Sequence, residues 1–179
     1  METYTFETAG GLKAGDKHSR VVGISSPIPV RIRTVSFVLM NAAVSEVEAS
    51  FALAGLEQLI GHPGRWNYPA GTAAVLYVSC GPYAWNEFPE EHAEILRCTT
   101  GRVPTVEVHA DVSGRVPGDD EVRFLADLIL SRFDGVAFDD FVSLAHGWSL
   151  DEIRRNVVVE GLRFFDYVEA HRRALEGAS

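Results

Sequence analysis

The hydrophobic period changes twice between residues 104 and 139, and this change limits the folds open to the chain. "PTVEVHADV" (104–112) alternates with period two. Val106, Val108 and Ala110 fall on one side, and Glu107, His109 and Asp111 on the other, as in a half-exposed strand. "PGDDEVRFLADLILSRF" (117–133) then repeats with helical period. Val122, Leu125, Ala126 and Ile129 form its apolar stripe, and Asp119 or Asp120 is its expected cap. "GVAF" (135–138) returns to a strand pattern. A strand, an amphipathic helix and another strand, joined by short turns, bury their apolar faces by laying helix on sheet.

A similar unit comes earlier. "PVRIRTVSFVLMNA" (29–42) reads as a strand whose first half has a wet side, with Arg31 and Arg33 on alternate positions, and whose second half is buried. "SEVEASFALAGLEQLIGHPG" (45–64) reads as a helix. It has a capping box from Ser45 to Glu48, a stripe of Ala49, Leu53, Leu56 and Ile60, and a stop at Gly61, Pro63 and Gly64. "GTAAVLYVSC" (71–80) is a second buried strand. Residues 30–139 therefore read strand, helix, strand, strand, helix, strand. That is the order of an α+β ferredoxin-like split βαβ sandwich, an antiparallel sheet with helices on one face.

The 179 residues suit a single domain with a core of its own. Residues 1–29 are an extension, with a short strand expected at 3–8 and a loop after it. Residues 140–179 are a C-terminal helical addition. Ser149 and Glu152 form a second capping box there, with Trp148 placed as a hydrophobic staple. "NVVVEGL" (156–162) is compatible with a strand, and "RFFDYVEAHRRALE" (163–176) with a helix.

The formal net charge is −9. A field of that sign repels phosphate backbones and anionic membrane surfaces, so neither nucleic acid nor membrane is an expected partner. It favours a basic protein partner or simply serves solubility. The first twenty residues show no basic region followed by an apolar one, and no stretch approaches the length of a membrane span. A cytoplasmic protein is expected. Cys80 and Cys98 form no CxxC pair and are expected to be free and buried.

Familiar catalytic motifs are absent from the sequence: it has no Walker loop, no GxGxxG after a strand, no HExxH, no GxSxG and no EF-hand loop. No cofactor and no metal are expected. No two of the six histidines lie three or four residues apart, the spacing of a paired metal ligand on a helix. Cys80 with His92 or His109 can be drawn as a nucleophile and base, but Cys80 closes a buried strand and has no supporting motif.

Two stretches stand out as candidate surfaces. Asp119, Asp120 and Glu121 open the second core helix, and Asp139 and Asp140 close the strand after it. Helix and strand run in opposite directions, so both acidic groups are expected at one end of the molecule. They are read as a docking surface for Lys and Arg, as a hard-metal site, or as caps and solvated strand ends. The second stretch is "GPYAWNEFPEEH" (81–92), where Tyr83, Trp85 and Phe88 mix with Glu87, Glu90 and Glu91, and a short helix is expected from Pro89.

The run "TVEVHADVSG", "GDDE", a helix and "FDGVAFDDF" within 104–141 resembles the C-terminal half of small bacterial immunity proteins, those encoded beside polymorphic or contact-dependent toxins. The resemblance covers about a quarter of the chain. It implies an acidic, cytosolic, single-domain protein without cofactor that binds and blocks a cognate toxin domain. These families bind through differing surfaces, so no contact residue carries over.

The leading expectation is thus a non-enzymatic inhibitor. Its candidate partner-binding residues are Asp119, Asp120, Glu121, Asp139, Asp140, Tyr83, Trp85, Glu87, Glu90 and Glu91, with Trp85 as anchor. The rival is a small enzyme or small-molecule binder using a cleft, with Asp139, Asp140, His109 and Cys80 as candidate groups. A third reading makes the strand at 104–112 a free edge for pairing.

Overall fold

A computed structural model describes residues 33–71, 73–84, 96, 101–142 and 146–176. The strand expected at 3–8 and the helix expected from Pro89 lie outside the described residues, apart from Leu96, which is helical and buried.

Among the described residues these elements follow in order: β1 (Arg33–Met40), α1 (Val44–Leu53), β2 (Glu57–Gln58), β3 (Arg65–Tyr68), β4 (Leu76–Pro82), β5 (Pro104–Val112), α2 (Asp119–Leu130), β6 (Asp134–Asp139), α3 (Leu150–Arg155) and α4 (Tyr167–Glu176). The strands form one sheet in the order β2-β3-β4-β5-β1-β6, every neighbouring pair antiparallel. β1 and β4 are therefore parallel with β5 between them, and β5 and β6 are parallel with β1 between them. The fold is α+β. The hairpin β2–β3 extends the sheet beyond β4, and β2 falls inside the stretch 45–64 that reads as a helix. Strands of two and four residues are too short to show alternation.

Helices α1 and α2 cover the same face. Val47 and Phe51 of α1, and Val122, Leu125, Ala126 and Ile129 of α2, share one buried cluster with Val35, Phe37 and Leu39 of β1 and with Val106, Val108, Ala110 and Val112 of β5. The stripe on α2 is the one its sequence predicts. Its cap is not: Gly118, in the left-handed region at φ 79°, precedes the helix in place of an aspartate cap. A side chain at Gly118 would also collide with Val112.

The first helix is displaced from its predicted frame. It starts after Ala43, whose backbone N–H is bonded by the Glu46 carboxylate at 3.1 Å, and it ends at Leu53, ahead of Gly55 at φ 83°. Its buried side is Val47, Ser50 and Phe51. Of the expected stripe only Leu56 is buried; Leu53 and Ile60 face solvent, Ile60 almost completely. Two apolar registers overlap in this segment, and the one holding Phe51 wins. Its ring meets Trp66 of β3 edge to face, with centroids 5.8 Å apart.

Other corrections follow from the position of each strand in the sheet. β5 is flanked by β4 and β1, so it offers no free edge. Arg33 is buried and not on a wet side. Its guanidinium donates to the carbonyls of Ser113 (3.0 Å), Val116 and Pro117 and lies 4.0 Å from the centre of the Tyr167 ring. The Ser149–Glu152 box does cap α3. Trp148 beside it is fully buried and pairs with Ala137, its N–H donating at 2.7 Å and its carbonyl accepting at 2.9 Å. This bridge covers the outer edge of β6 at one point. "NVVVEGL" contributes no strand, only a single bridge between Val159 and Leu162.

Candidate functional site

The face of the sheet turned away from α1 and α2 is divided in two. Val38 and Met40 of β1 and Val136 and Phe138 of β6 form a small apolar cluster with Tyr83 and Leu96. Toward the start of β1 the same face becomes polar. Register sets Thr34 opposite Asp111, and Asp111 opposite Tyr77; in the next row Ser36 faces His109, and His109 faces Ser79.

Asp139 closes β6 and Asp140 follows it, and the two separate at once. Asp139 is 3 % exposed and is not a surface group. Its carboxylate accepts from the backbone N–H of Phe141 (2.9 Å), Val142 (3.0 Å) and Phe165 (3.0 Å). Three amide donors replace the water that a buried carboxylate gives up. Asp139 therefore ties the C-terminal segment to the end of the sheet, and its expected role in docking is withdrawn.

Asp140 is exposed and accepts from the backbone N–H of Thr34 at 2.8 Å. The Thr34 hydroxyl donates to Asp111 at 2.8 Å. Partial burial pushes the Asp140 carboxyl above its ordinary range against the pull of the Thr34 amide, and the neighbouring Asp139 and Asp111 add to the rise. Burial also raises Asp119, opposed by backbone amides including that of Tyr167 and by Arg33 and Arg123. Asp119 lies near Arg33 and Asp140 binds the adjacent Thr34, so the first turn of α2 and the end of β6 lie at the same end of the molecule. Asp120 is exposed and Glu121 half-exposed there.

Ion pairs lie elsewhere: Arg102 with Asp134, Arg154 with Asp127, Arg155 with Asp151, and Arg172 and Arg173 with Glu169. Among the described residues, no ion pair engages Asp111, Asp119, Asp120, Glu121 or Asp140. No group of three or more His, Cys, Asp or Glu side chains suited to a metal occurs among the described residues.

The aromatic candidate survives less well. Tyr83 is 8 % exposed and belongs to the apolar cluster. Burial and the nearby Glu107 carboxylate push its hydroxyl above the ordinary range. It is a covered core residue and not a docking contact. Trp85, Glu87, Glu90 and Glu91 lie outside the described residues.

Cys80 and His109 are on opposite faces. Cys80 pairs with Val108 and packs against the helix-side core, whereas His109 pairs with Ser79 and Ser36 on the other side. Burial, with Glu48 nearby, pushes the Cys80 thiol up to about 12, the reverse of activation. The drawn pair of Cys80 with His109 is thereby removed; His92, the other base drawn for Cys80, lies outside the described residues. A depression of about 400 Å³ lies on the C-terminal segment, lined by Val158, Gly161, Arg163, Asp166, Val168 and Glu169; none of Cys80, His109, Asp139 or Asp140 lines it.

The arrangement that sequence reasoning missed is around His109. Its Nδ1 is 2.8 Å from the Ser36 hydroxyl, and its Nε2 meets the carboxylate of Glu107. Glu107 was expected on the exposed side of its strand but is 5 % exposed. Alternation did place Glu107 and His109 on one side; what it lacked was the neighbour across the sheet, which is a matter of register. Comparison with known proteins found no matching family model, no matching curated protein and no matching solved structure.

Proposed function

We propose that this chain is an acidic binding protein that occludes a cationic protein partner, in the manner of a toxin immunity protein. The observation that carries this reading is the set of carboxylates at one end, Asp111, Asp119, Asp120, Glu121 and Asp140, left without ion pairs among the described residues. An end of this kind attracts Lys and Arg side chains and speeds association. Blocking of this sort needs no chemistry from the blocker. A toxin that acts on nucleic acid has a basic site, and an acidic blocker takes the place of phosphate there. The loose resemblance of residues 104–141 to bacterial immunity proteins points the same way.

We also read the core as the ferredoxin-like split βαβ sandwich, with β2–β3 as an added hairpin. The order β4-β5-β1-β6 and the two helices on one face support that assignment.

The test is co-expression of the full chain with the products of its neighbouring genes, followed by pull-down and intact mass. A stoichiometric complex with a basic, growth-inhibiting neighbour supports the proposal. A chain that stays alone in the presence of every neighbour overturns it. One observation favours the rival enzymatic reading, the hydrogen-bonded line Ser36–His109–Glu107.

A further inference from the structure

We infer that Ser36 is a nucleophile activated by His109, with Glu107 as the positioning residue, and that this face accepts acyl or phosphonyl groups carrying good leaving groups. The inference rests on the enzymatic reading and is independent of the binding one.

Three facts of geometry support it. Ser36 of β1 and His109 of β5 are direct cross-strand partners, so the backbone ladder fixes the spacing of hydroxyl and imidazole. The hydroxyl lies 2.8 Å from Nδ1. Glu107, two residues from His109 on the same side of β5, meets Nε2 from a buried position, while the His109 side chain is 36 % exposed and Ser36 is half-exposed. A carboxylate at Nε2 keeps the proton on that nitrogen. The lone pair then sits on Nδ1, facing the Ser36 hydroxyl. The order is nucleophile, base, acid, with the two ring nitrogens exchanged relative to the serine protease arrangement.

The chemistry balances without a further reactant. Ser36 Oγ attacks the carbonyl carbon of an ester and its proton moves to His109 Nδ1. The alkoxide leaves with that proton, giving an acyl-serine. Water then attacks the acyl carbon, gives its proton to Nδ1, and the serine is restored as the carboxylic acid departs. The amides of β1 and β5 are committed to the sheet ladder and do not aim at a developing oxyanion. This limits the site to substrates whose leaving group needs little help, such as nitrophenyl esters and fluorophosphonates.

The probe is an alkyl fluorophosphonate, incubated with the full chain and followed by intact mass and peptide mapping. Oγ bonds to phosphorus, the P–F bond breaks, fluoride leaves and the proton goes to His109. The expected result is a single adduct on Ser36, absent from Ser36→Ala. The labelling rate should fall on the order of 10²-fold in His109→Asn. Glu107→Gln, which keeps the shape of the buried side chain, should label more slowly and with an altered pH profile. Circular dichroism of each variant separates loss of reactivity from loss of fold. No adduct on the folded wild-type chain, an adduct on another residue, or a rate unchanged in His109→Asn overturns the inference. Each of those results leaves the co-expression test untouched, so the two readings fail separately.

Discussion

The two faces of the sheet are cut from the same strands and stabilised by different means. On the helix side, Val35, Phe37, Leu39, Val108 and Ala110 are wholly buried and packed by side chains of α1 and α2. On the other side, the same two strands carry Thr34, Ser36, His109 and Asp111, joined by hydrogen bonds and partly open to water. Burial of apolar surface stabilises the first face, at about 25 cal/mol per Å² removed from water. The polar half of the second face contributes little net stability, because each bond replaces one to water. Selection for folding alone explains the first face. The second holds the Asp111 carboxylate and the line Ser36–His109–Glu107, which lie outside the packed apolar core.

The sharpest way to break this contrast is to truncate neighbours on β1. Phe37→Ala empties a large site in the covered core and should lower unfolding free energy by about 4 kcal/mol. Ser36→Ala, the adjacent residue on the other face, should cost about 1 kcal/mol or less. Urea denaturation measures both, and similar values would erase the distinction.

The pair Asp139 and Asp140 tests the contrast at its boundary. Asp139→Asn sets an amide against three backbone donors and should destabilise by about 2–3 kcal/mol. Asp140→Asn should change stability by no more than about 0.5 kcal/mol at neutral pH, and in the stabilising direction. The sign follows from the raised Asp140 carboxyl. A folded-state value above the unfolded one means that ionisation disfavours the folded state. The wild-type chain therefore regains this stability as pH falls through the folded value toward the ordinary carboxylate value, and the difference from Asp140→Asn closes there. Denaturation curves from pH 7 to pH 3 read this directly. A widening difference toward acid pH would reverse the assigned cause.

Much of the architecture was legible because period and burial largely agree. α2 has one apolar stripe, and the sequence of β5 alternates, with burial departing from that alternation only at Glu107. α1 misled because Ala49, Leu53 and Ile60 share helical spacing, whereas Val47 and Phe51 are the residues that pack into the core, Phe51 with its ring against Trp66. The acidic end was visible in outline, since antiparallel connection brings residues 119 and 140 together. The separate fates of Asp139 and Asp140 were not, because the donors that bury Asp139 include Phe165, which lies 26 positions away. Ser36 and Glu107 stayed hidden for a similar reason. Each is unremarkable in its own strand, and the line exists only in the cross-strand register.

The central claim is that the exposed carboxylates at the Thr34 end guide a cationic protein onto this chain. Its most direct test is the association rate of the co-expressed partner, measured by stopped flow at rising salt. The wild-type rate should fall steeply with salt, and the double variant Asp120→Lys, Asp140→Lys should associate at least about tenfold more slowly at low salt, with a flatter salt dependence. Rates that match between the two proteins at every salt concentration would contradict the claim.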